Sequence, residues 1–292
     1  NYNSIINLKN TNEGYSYNFS VMLEKHFNFG LDLSGSYTFG HSKSVNDGTS
    51  SVAYSNWQYN YSKDSNSKGE LGYSRFDIPH RISLQASYTT PKYLNGWMST
   101  TVGITYNASP GGRYSLSYDD AKDFNGDGSR GTTLLYIPTD KELEDMNFVD
   151  NFDKQGNLIM SKEESREAFR QWILNDDYAK NHRGQFAERN SNLTKWEHEI
   201  NLHVAQDIFY LKERGSKIQV TFDVINFANM LNKKWGANYY LPYNLTPVTV
   251  SGSTNADGIL VPEYTFKDQS NVLTKNDISS RWHCQVGVRL TF

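Results

Sequence analysis

The residues with the most evident chemical capacity are a short acidic run, a set of histidines and a group of aromatic side chains. Asp123, Asn125 and Asp127, followed by Gly128, form a D-x-N-x-D-G run. Hard oxygen donors at alternate positions, with glycine for the sharp turn, suit Ca²⁺ in the 123–134 loop. The twelfth position is Leu134 instead of a bidentate glutamate, so Asp119 and Asp120 are the further oxygens that could complete a site. The competing reading is a cluster of Asx turns in a solvated loop. His80, His198, His203 and His283 all lie in alternating segments, His203 and His283 beside Glu199, Asn201, Gln285 and Arg289. No serine or aspartate spacing marks a nucleophile near them, so a network of Arg289 with Glu197 and Glu199 is expected rather than an enzyme. Trp57, Tyr114, Trp172, Trp235, Tyr239 and Tyr240 are the candidate ligand-binding residues. Such rings give large contact area at little entropic cost and stack on sugars or peptides, though many will pack the loops on one another.

The elements that position these residues follow from composition and periodicity. Of 292 residues only 37% are hydrophobic, yet 14% are aromatic, 20 of them Tyr. That aromatic content excludes a disordered chain. One cysteine, Cys284, excludes an internal disulfide, and a net charge of -3 gives no reason to expect nucleic acid as a partner. No run approaches the roughly 18–20 apolar residues of a membrane helix. A β-barrel, by contrast, crosses with alternating segments of about ten residues, whose average composition is polar.

Alternation of that kind recurs along the chain. Trp282, Cys284, Val286, Val288, Leu290 and Phe292 face away from His283, Gln285, Gly287, Arg289 and Thr291. Strands are expected at 29–43, 76–90, 97–109, 194–209, 217–230 and 282–292, with another around Tyr15–Leu23 and an eighth near Tyr2–Lys9. His80 and His198 fall on the apolar side, near strand ends where an interface would begin. The connections alternate between short turns (His26–Phe29, Pro91–Gly96, Leu211–Ser216) and long loops. Outer-membrane barrels sort their connections in this way, and the short turns are flanked by Phe27, Phe29, Tyr93, Trp97, Phe209 and Tyr210, where an aromatic girdle belongs. The fold expected is all-β: an antiparallel transmembrane β-barrel segment of about eight strands with long external loops. A soluble sandwich would show similar strands without sorted loops, and no self-repeat supports a propeller. In the loops, Ser161-Lys162-Glu163-Glu164 is a capping box. A helix to about Asp176 follows, with Ala168, Phe169, Trp172 and Ile173 on one side, packed over the barrel mouth. Tyr239, Tyr240, Tyr243, Val248 and Val250 suggest a hairpin above the membrane.

Several segments carry a resemblance: GTSSVAYSNWQYN at 48–60, FDIPHRISLQASY at 76–88, DFNGDGSRGTTLLYIP at 123–138, HRGQFAERN at 182–190, WEHEINLHVAQDIF at 196–209, DVINFANMLNKKWG at 223–236 and RWHCQVGVRLTF at 281–292. In order and spacing they resemble the C-terminal third of a TonB-dependent outer-membrane receptor of the Oar-like group of Bacteroidetes, related to SusC-type transporters. The chain departs from that pattern at Thr132-Thr133, where an Asn-Asp pair is usual. The resemblance implies a 22-stranded barrel with an N-terminal plug, energised import of a bulky ligand such as a peptide or glycan, and residence in the outer membrane of a Gram-negative bacterium. On that likeness residues 1–292 are the C-terminal barrel section without the plug, with Phe292 on the periplasmic side. The implied partners are the lipid bilayer and lipopolysaccharide, the remainder of the barrel and its plug, the TonB complex through that remainder, and surface lipoproteins. A scaffolding barrel without transport and a free-standing eight-stranded barrel are the alternatives. The sequence opens Asn1-Tyr2-Asn3 with no signal-peptide pattern, and a fragment whose edge strands pair with the remainder is expected.

Overall fold

The computed structural model describes residues 5–120, 123–211, 216–242 and 244–292. Its main feature is an antiparallel sheet of seven long strands: β1 (Gly14–His26), β2 (Leu31–Ser44), β3 (His80–Thr89), β4 (Met98–Pro110), β5 (Trp196–Leu211), β6 (Ser216–Ile225) and β7 (His283–Thr291). They pair in chain order. β1 and β7 lie at opposite edges, and the described strands do not close on each other.

The register turns the sequence alternation into two continuous faces. Leu33, Ala86, Ile104, Leu202, Val224 and Cys284 stand side by side across six strands. One residue along, the row is Asp32, Ser87, Gly103, His203, Asp223 and Gln285. A slip of one residue in any pair would move a whole strand's side chains to the wrong face. The apolar face lies open: Ile104 is 47% exposed and Val288 73%. Among the described residues no helix is long and apolar enough to cross a membrane.

Short connections gather at one end of the sheet, the turn end, and long ones at the other, the loop end. After β1, Phe27 N–H donates to Leu31 O at 2.8 Å and Gly30 closes the turn with φ 97°. After β3, Leu94 and Asn95 both take positive φ (50° and 54°), as a tight hairpin requires. The turn expected at Leu211–Ser216 lies mostly on residues 212–215, outside those described, although β5 and β6 pair up to Leu211 and Ser216. Of the residues expected in the girdle, Phe29, Tyr93, Trp97 and Tyr210 are exposed there, whereas Phe27 is half-buried and Phe209 is buried. Lys92 sits 4.1 Å from the Phe209 ring.

Some expectations are corrected. The eighth strand near Tyr2–Lys9 does not form over residues 5–9, and residues 1–4 lie outside the described residues. Ile5 and Leu8 are exposed, and among the described residues no strand lies beyond β1 to supply hydrogen bonds. The eighth member of the sheet is instead the pair Gly72–Tyr73, bound to the end of β2. The 76–90 strand starts only at His80, because Pro79 has no N–H and the Asp77 carboxylate is drawn into another network. The 217–230 strand stops at Ile225, because Asn226 adopts a left-handed conformation (φ 55°) and opens a short helix, Phe227–Leu231. Arg289 does not meet Glu197 and Glu199. Antiparallel register sets it level with Gln219 and Asp207, near the turn end, while Glu197 is opposite Ser109 at the loop end.

The two faces carry a direct test. Ile104→Arg would put a cation on the apolar face, at a cost of about 2–4 kcal/mol if it lies near the bilayer midplane. Thr105→Arg, on the polar face, should cost far less. Denaturant unfolding in lipid vesicles measures both, and equal costs would mean that the faces are misassigned.

Candidate functional site

The long connections fold together at the loop end into a cap with a core of its own. Leu116, Leu135, Ile137, Phe169, Ile173 and Val248 are each fully buried there. The helix Lys162–Asn175 has the expected capping box: Ser161 Oγ accepts from Glu164 N–H while the Glu164 carboxylate accepts from Ser161 N–H at 2.9 Å. Ser165, Phe169 and Ile173, four residues apart, form its buried stripe. A second capping box, Thr139 with Glu142, opens a helix at Asp140–Asp145 that the sequence analysis passed over. The expected hairpin is Leu245–Thr254 against Leu260–Phe266, with Val248 and Val250 buried. Tyr239–Tyr240 belongs instead to a separate ladder with Thr274–Lys275, and Tyr243 lies outside the described residues.

A buried polar network ties this cap to the wall. The Arg113 guanidinium donates to Asp77, from Nη2 at 2.5 Å and from Nε at 2.7 Å, and both side chains are almost wholly excluded from solvent. Asp77 also accepts the N–H of Ser42 in β2, and Arg113 reaches the Asn190 carbonyl at 2.8 Å. The guanidinium lies 4.0 Å over the Tyr73 ring. Next to it, Arg189 donates to the carbonyls of Ser44 and Val45 and to Asn60 Oδ1. Its burial works against the charged form, and nearby Asp47, Glu70 and Glu188 support it. Asn190, at φ 55°, donates from Nδ2 to Tyr73 O and from its backbone N–H to Ser115 Oγ. A Cβ on Gly72 would stand 2.9 Å from Arg189 Cβ, so glycine is what allows this approach. Three of the sequence segments quoted above, 48–60, 76–88 and 182–190, thus meet in one clamp. The sequence analysis missed it because Asp77 and Arg113 are 36 positions apart, with no spacing rule to connect them.

Beside the clamp lies a polar cavity of about 260 Å³, lined by Tyr59, Tyr61, Tyr114, Arg75, Asn190 and Asn244. Tyr61 and Asn244 also line an adjoining cavity of about 400 Å³, with Ser117, Tyr118 and the Asp119–Lys267 ion pair. Burial pushes the Tyr114 phenol up to about 12 and raises those of Tyr61 and Tyr118 as well, so these hydroxyls stay neutral. Of the candidate ligand-binding aromatics, Tyr114 alone lines this cleft. Trp57 packs on Tyr54 and donates to Ser67 Oγ, and Trp172 stacks on Phe169 over the core. Trp235, Tyr239 and Tyr240 are exposed in the last loop.

The acidic run folds as a turn around its own backbone. Asp123 accepts the N–H groups of Asp127 (3.0 Å) and Gly128 (2.7 Å), and Asp127 accepts those of Ser129 and Asn66. Asn125 Nδ2 donates to Asp127 at 3.2 Å. Asp119 is engaged by Lys267, and Asp120 accepts from Gly131 and Thr133, its burial raising the carboxyl above its ordinary value. Leu134 is buried, and its N–H donates to Ser62 O at 2.9 Å. Among the described residues no three His, Cys, Asp or Glu side chains are placed to share a metal ion. On the wall, His203 Nδ1 lies 2.5 Å from Asp223 on the polar face, and His80 and His198 take the apolar side as the alternation implied.

An open seven-stranded sheet with one apolar exposed face and sorted loops is the geometry of an outer-membrane wall. The profile of the outer membrane beta barrel domain family matches residues 1–247. The chain belongs to that family. The match spans β1 to β6 and most of the cap of this outer-membrane barrel protein. No curated protein and no solved structure matches the chain.

The clamp should control how the cap sits on the barrel wall. Removing one partner of a buried ion pair leaves the other charge stranded, at about 3–5 kcal/mol. Arg113→Ala should therefore loosen the cap and open loop residues to protease. Arg113→Lys should recover only part, since an ammonium cannot hold Asp77 and the Asn190 carbonyl in one planar fork. Digestion patterns identical to the unsubstituted protein would overturn this role.

Proposed function

We propose that this chain forms part of the wall of a TonB-dependent outer-membrane transporter that imports a bulky ligand such as a peptide or glycan. The observation that carries this reading is the open sheet. In hydrocarbon an unpaired strand edge leaves N–H and C=O groups unsatisfied at several kcal/mol each, so β1 and β7 need partner strands. A wall completed by further strands encloses a wide polar lumen, consistent with the long row of polar side chains on the inner face. The lumen is then the ligand path, with a plug and the TonB complex as partners of the completed barrel. The loop end faces the outside, where surface lipoproteins are candidate partners, and Phe292 faces the periplasm. The cleft beside Tyr114 is a candidate contact site for ligand. The His203–Asp223 pair is assigned to the hydrogen-bonded wall, with no catalytic role.

Cysteines introduced at Phe19 in β1 and Val288 in β7, in a Cys284→Ser background, test the wall. They should form no disulfide with each other within one chain, and an intrachain disulfide would mean a small self-closed barrel. Energised import predicts that uptake of labelled ligand stops when the proton-motive force is dissipated; uptake that continues points to a passive or scaffolding barrel.

Calcium in the 123–134 loop is a separate proposal, resting on the hard oxygen donors of Asp123, Asn125 and Asp127. Limited proteolysis of the loop with Ca²⁺ and with chelator decides it. Protection by Ca²⁺ supports a bound ion, and unchanged cleavage assigns these oxygens to the turn alone.

A further inference from the structure

At the loop end of the apolar face, five rings form a belt across β2 to β5. Tyr37, His80, Trp196, His198 and Tyr106 follow one another with centroids 6.1–6.3 Å apart and planes within 22° of parallel. Trp196 is at the centre with a histidine–tyrosine pair on each side. The rings can lean together because the positions between them on β4 carry Pro110 and Ala108, paired with Trp196 and His198. Ala108 is only 4% exposed, although it stands on the same open face as Ile104, because the rings cover it.

The hydrogen bonds within the belt give it a direction. Tyr37 Oη lies 2.8 Å from His80 Nδ1, and Tyr106 Oη lies 2.9 Å from His198 Nδ1. With each tyrosine hydroxyl as donor, the imidazole proton sits on Nε2. The belt then presents the Nε2–H groups of both histidines beside the half-exposed indole of Trp196. Aromatic ring edges are themselves electropositive.

Charge on this face is one-sided. Over the described residues of the seven strands, the positions in register with the apolar rows include no Asp or Glu. Their basic side chains are confined to the ends: Lys25 at the turn end, and His41, Lys43, His80 and His198 at the loop end. Lys43 is bound to Glu188 of the cap, and His41 Nδ1 lies 3.5 Å from Asp77. His80 and His198 are left as the outward donors.

The geometry points to a docking surface for a phosphorylated lipid of the outer leaflet: the His80–Trp196–His198 belt takes the headgroup phosphate, and the apolar rows below it take the acyl chains. A face free of carboxylates that offers N–H donors to an anion, and its continuity with the lipid-facing rows, both fit that occupant. This inference rests on the family's membrane setting and on the loop end facing outward; it does not depend on transport.

The test uses the chain together with the strands that complete its barrel, purified in detergent and reconstituted into phosphatidylcholine vesicles containing either lipid A or dephosphorylated lipid A. The emission of Trp196 is isolated by subtracting the spectrum of Trp196→Phe. Phosphorylated lipid A should shift that emission saturably, and His80→Gln/His198→Gln should raise the half-saturating content roughly tenfold, as expected for the loss of charge-assisted hydrogen bonds. The single variant His198→Gln, at an exposed position, guards against misfolding of the double variant and should show a smaller rise. An equal response to dephosphorylated lipid A would overturn the proposal and leave a general interfacial belt. An equal response to inorganic phosphate in solution would overturn its assignment to a lipid. A completed barrel that fails to insert into vesicles would overturn the wall itself, whereas insertion without discrimination between the lipids overturns this inference alone.

Discussion

In hydrocarbon a backbone amide has no partner except another strand, and the architecture of this protein follows from that constraint. Seven strands satisfy one another in chain order, each flanked by its sequence neighbours. The same constraint explains why the apolar rows stay in register across the sheet and why the two edges left open among the described strands call for partners. Within the wall, side chains need only be oily on one side and polar on the other.

The cap obeys different physics. It is built in water from segments far apart in sequence, so it needs a buried apolar core, and it has one around Leu116, Phe169 and Val248. What fixes that core to the wall is polar. Asp77 sits where β3 is about to begin, and Arg113 follows the end of β4. Their pairing, with Arg189 capping the carbonyls at the end of β2, converts three strand ends into one platform. Buried charges of this kind contribute little net stability compared with apolar packing, but a partner that is lost costs a great deal. They therefore set position more than they add strength.

The apolar face is not uniform either. Its middle is aliphatic, while its loop end carries tyrosine, histidine and tryptophan in mutual contact. The turn end has its own aromatics, with Lys25 over the Phe27 ring and Lys92 over the Phe209 ring. The two ends therefore meet their interfaces with different chemistry, as expected of a membrane with unlike leaflets.

The sequence alone determined the all-β character, the positions of the long strands to within a few residues, the sorting of short and long connections, and the capped helix after Ser161. Each of these is local: alternation, turn length and a four-residue cap need no knowledge of distant residues. It also placed His80 and His198 on the outer side, since parity is fixed by a period of two. Tertiary structure alone decided the rest. Tyr114 lines a cleft while Trp172 packs on a core, because segments separated by dozens of residues converge there. Arg289 is level with Asp207 instead of Glu197, because antiparallel pairing reverses the order along each neighbouring strand. The clamp of Asp77, Arg113 and Arg189 was invisible in one dimension because a buried ion pair is specified by where two chain segments meet, and alternation records only which way a side chain points.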